Sequence, residues 1–125
     1  MILVDTSIWV DHLRDGDEQL AGLLERSQVV MHPFIVGEIA CGSLAKRSST
    51  LELLQDLPMA VVAETEEVLG YIERHRLHGK GIGYVDAHLL VATALTGGAL
   101  LWTRDKRLLA AADDLGLAHR DGDAH

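Results

Sequence analysis

Four carboxylates stand where a chain can hold acids for chemistry. Asp5 ends the apolar run 1–4, and Asp105 follows a second such run, 99–102. Ligands of open parallel sheets bind beyond the carboxyl ends of the strands, so both positions suit a functional acid. Both equally suit an ordinary helix N-cap. Glu38 and Asp86 stand differently. Glu38 falls on the helical stripe Ile35, Glu38, Ile39, Gly42, and Asp86 on the stripe Asp86, Leu89, Leu90, Thr93, Gly97. Both stripes are otherwise apolar or small, so both acids are expected to point inward. A buried carboxylate is costly unless a partner charge or a metal compensates it. The plain alternatives are an exposed edge position or an arginine partner for Glu38, and a favourable first-turn dipole for Asp86.

Each acid can be explained singly, but the four together suggest one site. A cluster of carboxylates offers only hard oxygen donors, which select Mg²⁺ or Mn²⁺. Such an ion generates a hydroxide-like nucleophile and neutralises a phosphate, so the chemistry suggested is metal-assisted phosphodiester hydrolysis. The charge balance fits that version better than direct phosphate binding. Eleven Lys and Arg against nineteen Asp and Glu give a net charge of −8, where nucleic-acid binders usually carry a basic excess. A cation between the acids and the phosphates would remove the conflict.

The elements that must position these acids alternate short apolar runs with helix-period segments. That is the pattern of a doubly wound α/β domain with a mainly parallel sheet. Strands are predicted at 1–4, 28–31, 59–62 and 99–102. Helices are predicted at 6–13, 18–26, 33–46, 50–56, 65–78, 84–95 and 105–115. Pro33 opens the third helix, and Gly97 and Gly98 stop the strongly apolar sixth. Gly79-Lys80-Gly81-Ile82-Gly83 is the one conspicuous loop, and it lacks the spacing of a Walker motif. Residues 120–125 read as a frayed polar tail. With 125 residues and no repeat or linker, one domain over 1–125 is expected.

Other chemistries find less support. No apolar run approaches the ~20 residues of a membrane span, and the opening MILVDTSIWVDH has no basic leader. The single Cys41 excludes an internal disulfide and a multi-cysteine zinc site, and is expected to be a packed small residue. These features point to a cytoplasmic protein. The seven histidines form no zinc pattern, and His75 and His78 belong to a basic helical face. Trp9 reads as core or as partner-facing.

Four segments carry a family resemblance over nearly the whole chain. They are Leu3-Val4-Asp5-Thr6-Ser7, Gly37-Glu38-Ile39-Ala40-Cys41-Gly42, Val85-Asp86-Ala87 and Trp102-Thr103-Arg104-Asp105-Lys106-Arg107. In this order and spacing the sequence resembles PIN-domain ribonucleases, specifically the stand-alone VapC-type toxins. The resemblance implies a three-layer α/β/α sandwich and endonucleolytic, divalent-metal-dependent cleavage of RNA. It also implies neutralisation by a cognate antitoxin protein, and a homodimer. By the same match Asp5, Glu38, Asp86 and Asp105 are the metal-site acids, with Asp5 and Asp86 as direct ligands. Thr6, Ser7 and Thr103 are then supporting hydroxyls. His88, Leu90 and Val91 are bulkier than the small residues often found after the third acid, a departure that bears on local packing or a partner surface.

Rival readings remain. A phosphatase-like α/β domain wants a second aspartate two residues after the first, where Ser7 stands. A receiver domain wants an early acidic pair and a phosphorylatable aspartate ending a middle strand, and neither is found. An inactive PIN-like interaction module has no need of an intact acid quartet. For RNA contact the basic candidates are Lys46, Arg47, Arg74, Arg76, Lys80, Arg104 and Lys106. For an antitoxin, the expected surface lies around Trp9 and the first two helices.

Overall fold

The computed structural model describes residues 1–123. Its first strand, β1 (Ile2–Val4), is wholly apolar, and all three side chains are fully buried. A strand buried on both faces needs cover on both, which the crossover helices of a parallel sheet supply. β1 indeed lies inside the sheet, in the order β2-β1-β3-β4. The others are β2 (Val29–Val30), β3 (Leu100–Trp102) and β4 (Ala118–His119), and every pairing is parallel. Val4 pairs with Trp102. The chain therefore leaves β1 and β3 side by side, with Asp5 and Thr103 as the next residues.

Among the described residues, seven helices flank the sheet: α1 (Thr6–Asp15), α2 (Glu18–Glu25), α3 (Pro33–Ala40), α4 (Arg47–Gln55), α5 (Thr65–Arg74), α6 (Tyr84–Leu95) and α7 (Lys106–Asp114). The result is the α/β architecture that the alternating pattern predicts. α6 is buried at seven consecutive positions, 87–93. A helix apolar all round is a core helix, and α6 packs between α5 and β3. The N-termini of the helices that matter most are fixed locally. Asp5 caps α1 by accepting from Thr6 N, and Asp105 caps α7 by accepting from Arg107 N and Leu108 N.

Several expected boundaries differ, each for a physical reason. The strand predicted at 59–62 reduces to a single parallel bridge between Met31 and Met59. The amide of Val61 is taken by the Thr96 hydroxyl rather than by a strand, and Val61 and Val62 remain about half exposed. The helix predicted to reach 46 stops at Ala40, where the Arg47 side chain donates to the carbonyls of Ala40 and Gly42. The helix predicted to reach 78 stops at Arg74, because Arg76 turns into the left-handed region (φ 53°). Residues 120–123, expected to fray, form a tied turn. Asp121 accepts from Trp102 Nε1 and Arg104, and Gly122 N donates to Gln19. The remainder of that predicted tail, 124–125, lies outside the described residues.

Candidate active site

The four acids line one open cleft at the carboxyl edge of the sheet. Asp5, Thr6, Ser7, Glu38, Asp86, Arg104 and Asp105 form its wall, around a volume of about 570 Å³. Parallel pairing of β1 with β3 brings Asp5 and the Thr103–Asp105 loop together, and the N-terminus of α6 delivers Asp86 from the side. α3 packs against α1 and supplies Glu38.

Hydrogen bonds hold each carboxylate. The Thr103 hydroxyl donates to Asp5 Oδ2 at 2.7 Å, and Thr6 N donates to Asp5 Oδ1 at 2.8 Å. The Thr6 hydroxyl donates to Glu38 Oε1 at 2.7 Å. Gly83 N donates to Asp86 Oδ2 at 3.2 Å. Asp105 Oδ1 accepts from two α7 amides, and its own amide donates to the Thr103 hydroxyl at 3.1 Å. Thr103 is therefore a hinge pin between two of the acids. Ser7 lines the cleft with an exposed side chain.

Electrostatics agree with proximity. Burial, and then the charges of Asp5, Asp105 and Glu38, hold the Asp86 carboxyl above its ordinary range, against the opposing Gly83 N–H. Like charges in one another's field favour a bound cation. Among the described residues, no three acid, His or Cys side chains form a ready-made cage for an ion. Mg²⁺ asks for no such cage, since it keeps several waters and takes one or two carboxylates plus substrate oxygens. An open cleft whose acceptor groups are carboxylate and hydroxyl oxygens is compatible with that mode of binding.

Two expectations about orientation fail. Glu38 does not point into the core. Only Ile35 and Ile39 of its stripe are buried, and Glu38 sits exposed on the margin of α3, satisfied by Thr6. Cys41 is exposed, not packed. Asp86 is half-buried, as the first-turn residue of a core helix would be. Trp9 resolves to core at 2% exposure. His88 is also buried, with its ring against His32, Phe34 and Tyr84.

The basic candidates divide. Arg104 is not free to take a phosphate. It pairs with Asp17 (2.9 Å), Asp121 (3.2 Å) and Asp11 (3.3 Å), and lies 5.5 Å from the Trp102 ring centre. Its bond to Asp17 leads the contacts that raise its pKa further. Arg47 is occupied with backbone carbonyls. Among the described residues Lys46, Arg74, Arg76, Lys80 and Lys106 form no ion pair, and nor does Arg107, which sequence reasoning passed over. Asp17 and Asp121 were passed over too. Asp17 reads from sequence only as the cap of α2, and nothing local links it to a residue 87 positions away.

The PIN domain family model matches residues 2–114. The chain belongs to the PIN-domain family. The "Ribonuclease VapC32" proteins of Mycobacterium tuberculosis strains CDC 1551 / Oshkosh and ATCC 25618 / H37Rv are each 49% identical to it over 118 residues. That alignment covers 94% of this chain and 95% of each relative. Among solved structures, the crystal structure of FitAcB from Neisseria gonorrhoeae matches 96% of this chain and 96% of that one. The TM-score is 0.61 at 23% identity, a likeness of fold. Within the PIN family the chain is of the VapC type. The phosphatase-like and receiver-like readings fall away.

Proposed function

We propose that this PIN-domain protein is an endoribonuclease toxin whose acidic cleft hydrolyses RNA phosphodiester bonds with Mg²⁺ or Mn²⁺. The observation that carries the reading is the shared cleft of Asp5, Glu38, Asp86 and Asp105 in a chain of the VapC type. Asp5 and Asp86 are the direct metal ligands, and Glu38 and Asp105 complete the negative field. When bound, the ion supplies charge neutralisation and an activated water. The chain's own residues orient the parts. Thr103 and Thr6 fix Asp5 and Glu38, Gly83 N–H fixes Asp86, and Ser7 stands free at the lip for the substrate or a bound water.

The toxin acts in the cytoplasm as one domain, a compartment in keeping with its free thiol. It is restrained by a cognate antitoxin and forms a homodimer. The antitoxin meets the exposed apolar side chains Val10, Leu13 and Leu53 around α1 and α4, rather than Trp9, which is buried. A cavity of about 290 Å³ lies among Leu13, Leu24, Leu53 and Leu57 on that side.

Purified protein incubated with RNA in Mg²⁺, in Mn²⁺ and in EDTA tests the activity. Cleavage with either ion and none with EDTA is expected. Cleavage of equal rate in EDTA would overturn the metal-dependent reading, and no cleavage in any condition would overturn the enzyme.

A further inference from the structure

We infer that a notch beside the acidic cleft, between His78 and Tyr84, is a subsite for one nucleobase of a single-stranded RNA next to the scissile phosphate. This rests on the ribonuclease reading above. The notch encloses about 220 Å³ and is lined by Ile72, Leu77, His78, Ile82, Gly83, Tyr84 and Ala87. Its floor is apolar, with Leu77 and Ala87 at 3% and 2% exposure, while Tyr84 at the lip is 46% exposed. Clefts that take whole ligands run to roughly 300–1,000 Å³. The smaller notch suits one ring system, with sugar and phosphate left outside.

Three features tie it to RNA rather than to an arbitrary apolar group. The first is continuity with the acids. Gly83 lines the notch and its N–H donates to Asp86 Oδ2 at 3.2 Å, so one peptide unit is shared by the two sites. The second is charge. In an acidic protein, the segment Arg74-His75-Arg76-Leu77-His78-Gly79-Lys80 contains no acid, and its three cations form no ion pair among the described residues. Across the loop, the Arg107 side chain lies against Gly81, whose φ of 78° and lack of Cβ permit that approach. The notch thus sits between cations that can meet the flanking phosphates. The third is a π surface. The Tyr84 ring is braced at 88° against buried His88, with centroids 4.6 Å apart, which holds it out at the lip. A braced aromatic ring beside an apolar floor and unpaired cations is how proteins hold splayed single-stranded bases.

The test uses metal-free full-length protein in EDTA, so that RNA is bound and not cut. The probes are short single-stranded RNAs of mixed sequence with 2-aminopurine moved stepwise along the chain. In the parent, fluorescence should be quenched most at one position. Tyr84→Ala should abolish that quench and weaken binding roughly 5- to 100-fold, the worth of one stacked base. Tyr84→Phe should restore both. His78→Ala should weaken the quench at the same position and at no other. In Mg²⁺ or Mn²⁺, an abasic residue at that position should slow cleavage by the parent and make no further difference to Tyr84→Ala. An unchanged quench and affinity in Tyr84→Ala, with the parent cleaving RNA, would overturn the base subsite and leave the notch to an apolar side chain of a protein partner. A parent that neither binds nor cleaves RNA would instead bring down the ribonuclease reading on which the subsite rests.

Discussion

The Thr103 hydroxyl donates a 2.7 Å hydrogen bond to Asp5 across 98 residues of chain, and the same oxygen accepts from the Asp105 amide at 3.1 Å. Thr103 is 3% exposed, so neither bond is replaced by bulk water when it is lost. Thr103→Val preserves shape and deletes both. Removing a partner that orients a metal ligand costs about 10- to 100-fold in metal affinity or activity. Thr103→Val is therefore expected to lower Mn²⁺ affinity and RNA cleavage by that factor. Stability should fall by about 1–3 kcal/mol for the stranded groups. Mn²⁺ titration and a urea melt check the two parts, and unchanged affinity would show that Asp5 needs no such support.

The Asp86 carboxyl is held above its ordinary range first by burial and then by the charges of the other three acids. Asp86→Asn keeps an oxygen for the Gly83 amide and removes the charge that Asp5, Asp105 and Glu38 oppose. Metal binding and cleavage should collapse, while the metal-free fold becomes no less stable. In the parent, Mg²⁺ or Mn²⁺ should raise the melting temperature by mass action, and in Asp86→Asn it should do little. Equal metal-induced shifts in both proteins, with cleavage retained, would remove Asp86 from the site.

His32 makes the acid limb of stability predictable. It is fully buried, its Nδ1 accepts from Phe34 N, and its Nε2 has no partner among the described residues. Accepting at Nδ1 places the proton of the neutral ring on Nε2. Burial, with the charge of His88 second, pulls its pKa from 6.5 down to about 4. The folded pKa lies below the unfolded one, so the unfolded chain binds the extra proton first. The contribution is complete above pH ~6.5 and is lost as the pH falls toward ~4, a matter of roughly 3 kcal/mol. His32→Asn retains a capping oxygen and should flatten this part of the stability–pH profile. A profile of unchanged slope would mean that another group carries it.

Arg104 and Lys80 should separate brace from phosphate contact. Arg104 is tied to three aspartates and is still 37% exposed, so screening limits its worth to roughly 1 kcal/mol of stability. Arg104→Ala should lower the melting temperature and leave the salt dependence of RNA binding nearly as in the parent. Lys80→Ala and Arg107→Ala should each reduce that log–log slope by about one. A reversed pattern would mean that Arg104 leaves its aspartates to meet RNA.

Much of this molecule is legible in the chain itself, because the relevant forces are local. The apolar run before Asp5 must be a buried strand, and the length and composition of residues 84–95 make a core helix, as α6 is. An aspartate after each of two parallel strands is bound to emerge at the same sheet edge once those strands pair. Orientation at the edge of a stripe is another matter. Helical periodicity gives Glu38 the same face as Ile35 and Ile39, but only those two of the stripe are buried in the packed helix, and Glu38 is left on the rim, where Thr6 meets it. Residues 59–62 have the composition of a strand, yet Thr96, 35 residues on, takes the amide of Val61. Arg104 is a free cation by sequence and a threefold ion pair in space, because Asp11, Asp17 and Asp121 reach it from two other parts of the chain. Residue type and period decide which elements form and which acids are available. Which side chains meet depends on the packing angles and lateral register of elements far apart in the chain, and those arise only when the whole core closes.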